Sequence, residues 1–171
     1  MGLTSGEPPQ ELPARPVLAF LAGRWRIDRR LDDRRAAASG RFTGLASFTA
    51  VPGGLRYRED GELRFGGHAG PAWRELSYLT APDGTADVRF ADGRPFYRLD
   101  LRAGRWQARH ECGQDLYLAG FEVLGDDLVT EHWQVRGPDK DYDSFTELRR
   151  LSAGADELPP VSPPSWPSPP G

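Results

Sequence analysis

Trp106–Tyr142 reads WQARHECGQDLYLAGFEVLGDDLVTEHWQVRGPDKDY, and its period decides the fold. Apolar and polar residues alternate, and the alternation breaks at Gly113, at Gly125-Asp126-Asp127 and at Gly137-Pro138-Asp139. A period of two with glycine and aspartate at the breaks predicts three antiparallel strands joined by tight turns. Strand side chains point alternately to the two faces, so parity sorts them. Trp106, Ala108, His110 and Cys112 share one face, while Arg105, Gln107, Arg109 and Glu111 share the other. The charged set belongs in solvent, which turns His110 and Cys112 inward. Asp115 and Tyr117 share a face one turn later, within reach of His110. Further on, Val129, Trp133 and Val135 suggest an inward face that sends His132 outward, though the parity of that strand leaves His132 open to either side.

The same rhythm extends in both directions. Strands are predicted at Arg24–Leu31, Gly40–Ala50, Leu55–Phe65, Trp73–Ala81, Ala86–Ala91, Arg94–Arg102, Arg105–Glu111, Asp115–Leu124, Leu128–Arg136 and Tyr142–Leu151. Turns at Pro52-Gly53-Gly54, Pro82-Asp83-Gly84, Asp92-Gly93 and Ala103-Gly104 supply the positive φ that short connections need. Short turns make sequence neighbours spatial neighbours, and closing the last strand on the first removes the open edges of a flat sheet. The expected fold is therefore all-β, a closed antiparallel up-and-down barrel of about ten strands. Val17–Leu21, which follows Pro16 and stops before Gly23, reads as a short N-terminal helix plugging one end. On Leu55–Phe65 the row Arg56, Arg58, Asp60, Glu62 and Arg64 is solvent-facing, placing Tyr57 and Glu59 inside. An ionised Glu59 there needs water, an internal arginine or a polar ligand group.

The chain has 171 residues, enough for one domain with a real core. Met1–Pro16, with four prolines, is expected to be a disordered leader, residues 17–151 the barrel, and residues 152–171 a disordered tail with seven prolines between Pro159 and Pro170. That tail, with Trp166, also offers a polyproline ligand for an aromatic-lined groove. A net charge of -3 gives no footprint for nucleic acid, and no apolar run is long enough to span a membrane. A single cysteine and no signal-like apolar leader point to a reducing cytoplasm. Oligomeric state is not legible.

Gly23-Arg24-Trp25 resembles the Gly-x-Trp motif of the lipocalin and calycin superfamily. Arg149-Arg150 falls where such barrels lay an arginine over that tryptophan, and Arg149 is assigned to that closure with Trp25. Phe20-Leu21-x-Gly23-x-Trp25, His110-x-Cys112-x-x-Asp115-x-Tyr117 and Trp133-x-Val135-x-Gly137-Pro138-x-Lys140-Asp141-Tyr142 resemble a bacterial calycin-like family of unknown function, over Val17 to Leu151. The resemblance implies a barrel and no activity. Ten strands are closer to fatty-acid-binding proteins or nitrobindins than to eight-stranded lipocalins. Asp32–Ser39 leaves no room for a helical lid, and a nitrobindin-type haem would need a histidine such as His132, whose surroundings do not match.

The expected function is a lumen that binds a mostly apolar small molecule, with His110, Cys112, Tyr117, Tyr57, Glu59, Arg98 and His132 as candidate contacts and Lys140 at the mouth. The same set supports an alternative, a small isomerase, lyase or cyclase using His110 oriented by Asp115, with Tyr117 or Glu59 as acid. A third is a haem or metal site, although His-x-Cys on one strand is no known ligand spacing. The bland alternative is a filled core in which His110 and Tyr117 satisfy each other. For Lys140 the bland reading is a turn residue balanced by Asp139 and Asp141, and His68 reads as exposed and inert.

Overall fold

The computed structural model describes residues 16–152. Helix α1 (Val17–Leu21) precedes β1 (Gly23–Asp33), β2 (Ala38–Val51), β3 (Gly54–Phe65), β4 (His68–Thr80), β5 (Ala86–Phe90), β6 (Pro95–Leu99), β7 (Arg105–Cys112), β8 (Asp115–Gly125), β9 (Leu128–Arg136) and β10 (Asp141–Arg150). All pairings are antiparallel, in the order β6-β5-β4-β3-β2-β1-β10-β9-β8-β7. The last strand meets the first, from Trp25 opposite Arg150 to Asp33 opposite Tyr142. The leader before Pro16 and the tail after Ser152 lie outside the described residues. No helix among the described residues is long and apolar enough to cross a membrane.

The barrel is nearly closed, not sealed. Its sheet ends at β6 and β7, which are joined by side chains and have no main-chain ladder among the described residues. The Trp106 indole Nε1 donates to the Arg98 carbonyl at 2.6 Å across this seam. The cause is the short β5–β6 hairpin, only five residues per strand with a register shift at Val88/Arg89. β5 pairs with β4 over Leu76–Thr80, so no ladder covers the outer edge of His68–Glu75 among the described residues. A notch in the wall results. β4 itself begins at His68, five residues before the expected Trp73, because Gly66 and Gly67 at φ +54° and +87° make a two-residue turn. His68 is exposed, as expected.

One end is plugged. The fully buried Trp25 donates Nε1 to Leu21 O at 2.8 Å, tying β1 to α1. The guanidinium over its indole, 4.1 Å from the ring centre, belongs to Arg150 and not to the expected Arg149. Leu148 and Arg150 share the inward parity of β10, whereas Arg149 is exposed and pairs with Glu147. Arg150 also donates to Phe20 O and Ala22 O. It ties α1 and the last strand together.

At that end the interior is filled by Trp25, Ile27, Phe48, Leu55, Leu76, Val88, Leu99, Val129 and Leu148, all buried. Toward the other end the inward residues Leu31, Leu63, Phe65, Ala72, His110 and Tyr117 are half-buried. The upper half of the barrel is thus a cup above a solid base. Gly44 and Gly61 face each other where β2 and β3 bend together, and a Cβ on either would strike the opposing backbone.

Candidate functional site

The floor of the cup is polar. Inward parity on β1 gives Trp25, Ile27 and then Arg29, and on β3 Leu55, Tyr57 and Glu59. Arg29 presents Nη1 and Nη2 to the two oxygens of Glu59 at 2.7 and 2.9 Å, while its Nε donates to Thr146 Oγ1 at 3.0 Å. This fork is the strongest geometry for a carboxylate. Tyr57 Oη donates to Glu59 Oε2 at 2.5 Å, and Arg74 Nη2 reaches the same oxygen at 3.3 Å from inward-facing β4. Burial alone would raise the Glu59 pKa. The Arg29 hydrogen bonds, the field of Arg74 and the Tyr57 hydroxyl outweigh it and hold the carboxyl at about 2.

Glu131, between the inward Val129 and Trp133 on β9, is a second interior carboxyl. Burial pushes its pKa up against the pull of Arg29 and Arg74. Among the described residues no cation stands within ion-pairing distance of it. Burial likewise pushes the Tyr57 hydroxyl well above its ordinary range, as does the charge of Glu59.

The wall beside the seam is aromatic. Phe90, Phe96 and Trp133 stack in series, with centroids 4.3 and 5.2 Å apart and planes at 27° and 14°. The His110 ring meets Phe96 edge-on at 5.2 Å and lies 5.7 Å from Tyr117. At the rim, Lys140 Nζ donates to Asp115 Oδ2 at 2.6 Å and to Tyr117 Oη at 2.7 Å, and these bonds raise the lysine pKa. Gly137 makes that clasp possible, because a Cβ there would run into the Asp115 carboxylate.

A family model covering residues 21–150 matches this barrel. The chain belongs to DUF6314, a family of unknown function. No curated protein matches it by sequence. Among solved structures, this DUF6314 barrel is similar to the S-type phycobiliprotein lyase CPES from Guillardia theta. That match has a TM-score of 0.57 at 12% identity and covers 80% of this chain and 91% of that one. It is also similar to a protein of unknown function from the DUF3598 family of Nostoc punctiforme PCC 73102. There the TM-score is 0.55 at 16% identity, covering 86% of this chain and 53% of that one. At such identities the likeness is one of fold.

Of the residues expected from the DUF6314 sequence, Tyr57 and Glu59 are buried in the lumen, and His110 and Tyr117 line it at half depth. Cys112 has the inward parity but sits exposed at the rim. Two expectations need correction. Arg98 is exposed on the outside, because Tyr97 and Leu99 take the inward positions, and it pairs with Asp83 at 2.9 Å. His132 also faces out, since Val129, Glu131, Trp133 and Val135 hold the inward parity. It lies 6.3 Å from Phe145 in an outer groove of about 680 Å³ floored by Gly120. Lys140 is at the mouth, but its partner is Asp115 rather than the flanking Asp139 or Asp141. That engagement separates Asp115 from His110: among the described residues no hydrogen bond joins them. Nor does any group of three or more His, Cys, Asp or Glu there stand ready to hold a metal.

Arg29, Arg74 and Glu131 were not anticipated. Each shares parity with apolar neighbours: Ile27 and Leu31, Ala72 and Leu76, Val129 and Trp133. The rule that placed Glu59 would have found them.

Proposed function

We propose that the barrel binds a small, mostly apolar molecule in its cup, its body against the Phe90–Phe96–Trp133 wall and its polar end toward the floor. One observation carries this: inward side chains are packed out of solvent in the lower half, yet half-exposed in the upper half. A purely structural core would be filled to the rim at interior density. An accessible cavity lined by aromatic groups with a few convergent polar ones is the usual form of a ligand site. His110 and Tyr117 stand at its side, Tyr57 and Glu59 at its base, and Cys112 and Lys140 at the rim.

Isomerase, lyase or cyclase chemistry in the same cup would need a carboxylate behind His110, and the Asp115 carboxylate is held by Lys140 instead. Binding is therefore the better reading of the geometry. The test is native mass spectrometry and absorption spectroscopy of the purified protein, followed by titration with the fluorescent apolar probe N-phenyl-1-naphthylamine. Saturable binding at one site, weakened about tenfold by Phe96→Ala, is expected. A probe that binds without saturation, together with a bare-chain mass, would overturn the reading.

A further inference from the structure

Arg74 occupies an inward position on β4, flanked by the inward Ala72 and Leu76, yet its side chain is 42% exposed. Solvent therefore reaches its side chain, on the stretch of β4 that has no β5 neighbour. A guanidinium has five N–H donors. Among the described residues Arg74 hydrogen-bonds to Glu59 alone, through one of them, at 3.3 Å. Glu59 is already saturated, since its two oxygens take the Arg29 fork and the Tyr57 hydroxyl as well. One carboxylate thus serves two guanidiniums, and the pair Arg29–Glu59, with exposures of 12% and 5%, is self-sufficient. The N–H donors left over are those of Arg74. Its guanidinium is also steadied above the Tyr57 ring, at 5.9 Å.

Glu131 is the other interior carboxyl near it, but among the described residues it makes no ion pair with Arg74, so it occupies none of the remaining N–H donors. Register places Arg74 beside the aromatic wall. Leu76 pairs with Phe90, and Arg74 stands two residues nearer the open end, where β4 has lost its β5 neighbour. A flat body packed against the edges of this aromatic stack would bring a polar end to Arg74.

We infer that the ligand carries an oxyanion, a carboxylate in the first instance, seated on the free N–H edge of Arg74. The inference rests on the lumenal reading above and narrows it to aromatic or otherwise flat apolar acids. The energetic reason is that a confined, half-desolvated cation strengthens charge-assisted hydrogen bonds relative to water.

The test uses N-phenyl-1-naphthylamine as reporter and 2-naphthoate and 2-naphthamide as competitors, which share a ring and differ in charge. The wild-type protein should release the reporter at about tenfold lower naphthoate than naphthamide, although water solvates the carboxylate better. Arg74→Met should abolish that preference, read as the ratio of the two competitors within the one variant so that any change in reporter affinity cancels. Arg29–Glu59 persists without Arg74, so the variant retains its floor; Arg74→Lys, which keeps charge but not the fork, should recover part of the preference. Equal competition by the two compounds in wild type overturns the inference, as does a naphthoate preference that survives Arg74→Met. In either case the cup remains a binding site. Failure of the reporter to bind saturably removes both.

Discussion

Replacing Glu59 by glutamine keeps the side chain's size and one carbonyl acceptor but removes the negative charge that Arg29 and Arg74 bond. Breaking a buried pair from one side typically costs about 3–5 kcal/mol, because the remaining charge is left desolvated. Linkage gives a second measure. Glu59 sits at about 2 against 4.5 for a free carboxyl. The folded-state pKa is depressed, so its stabilisation is complete above the unfolded value and is lost as pH falls from 4.5 toward 2. At about 1.4 kcal/mol per unit, the full amount is about 3 kcal/mol, and about 2 kcal/mol of it has gone at roughly pH 3. Urea unfolding followed by tryptophan fluorescence, at about pH 7 and again at about pH 3, measures both quantities. Wild type should exceed Glu59→Gln by at least about 3 kcal/mol at neutral pH, and the gap should shrink by about 2 kcal/mol in acid. Carboxylates remote from the floor titrate equally in the two proteins and cancel from the difference. A neutral-pH gap below about 1 kcal/mol, or a gap that ignores pH, would refute the claim that Glu59 is ionised and paired inside the barrel.

Three further outcomes follow from the geometry. Arg150→Ala should cost about 2–4 kcal/mol in urea unfolding, since it removes the cation over Trp25 and leaves the Phe20 and Ala22 carbonyls without their donor, whereas Arg149→Ala should stay within about 0.5 kcal/mol. Gly137→Ala should lower stability by about 1 kcal/mol or less by pushing the Asp115 carboxylate away from Lys140, close to the cost of Lys140→Met in urea unfolding, because both variants lose the same half-exposed ion pair. His132→Ala should leave reporter binding unchanged, since its ring lies in the outer groove beside Phe145; a change beyond about threefold would place the ligand outside the barrel.

How far the sequence reaches depends on which kind of contact is asked for. The strands, the first-to-last closure, the plugging helix and the inward Tyr57 and Glu59 were legible because each depends on local period and turn chemistry. The β6–β7 seam was not, because it arises from the shortness of β6 and the register shift at Val88/Arg89, and neither leaves a mark in the alternation. The closing arginine was missed by one residue: two adjacent arginines on a strand point to opposite faces, and Leu148 at the inward position decides for Arg150. Arg29 and Arg74 are subtler. Lys140 is the sole lysine, so arginine supplies nearly all the positive charge and an interior arginine is indistinguishable by type from the many on the surface. Parity still separates them, because Arg29 follows Trp25 and Ile27 on one face, and Arg74 precedes Leu76 and Tyr78 on one face. Once Glu59 was placed inside, charge balance demanded a buried cation, and those two parity positions were where to look for it. That the barrel sets two guanidiniums, Arg29 and Arg74, on the one Glu59 carboxylate is the step no local pattern supplies.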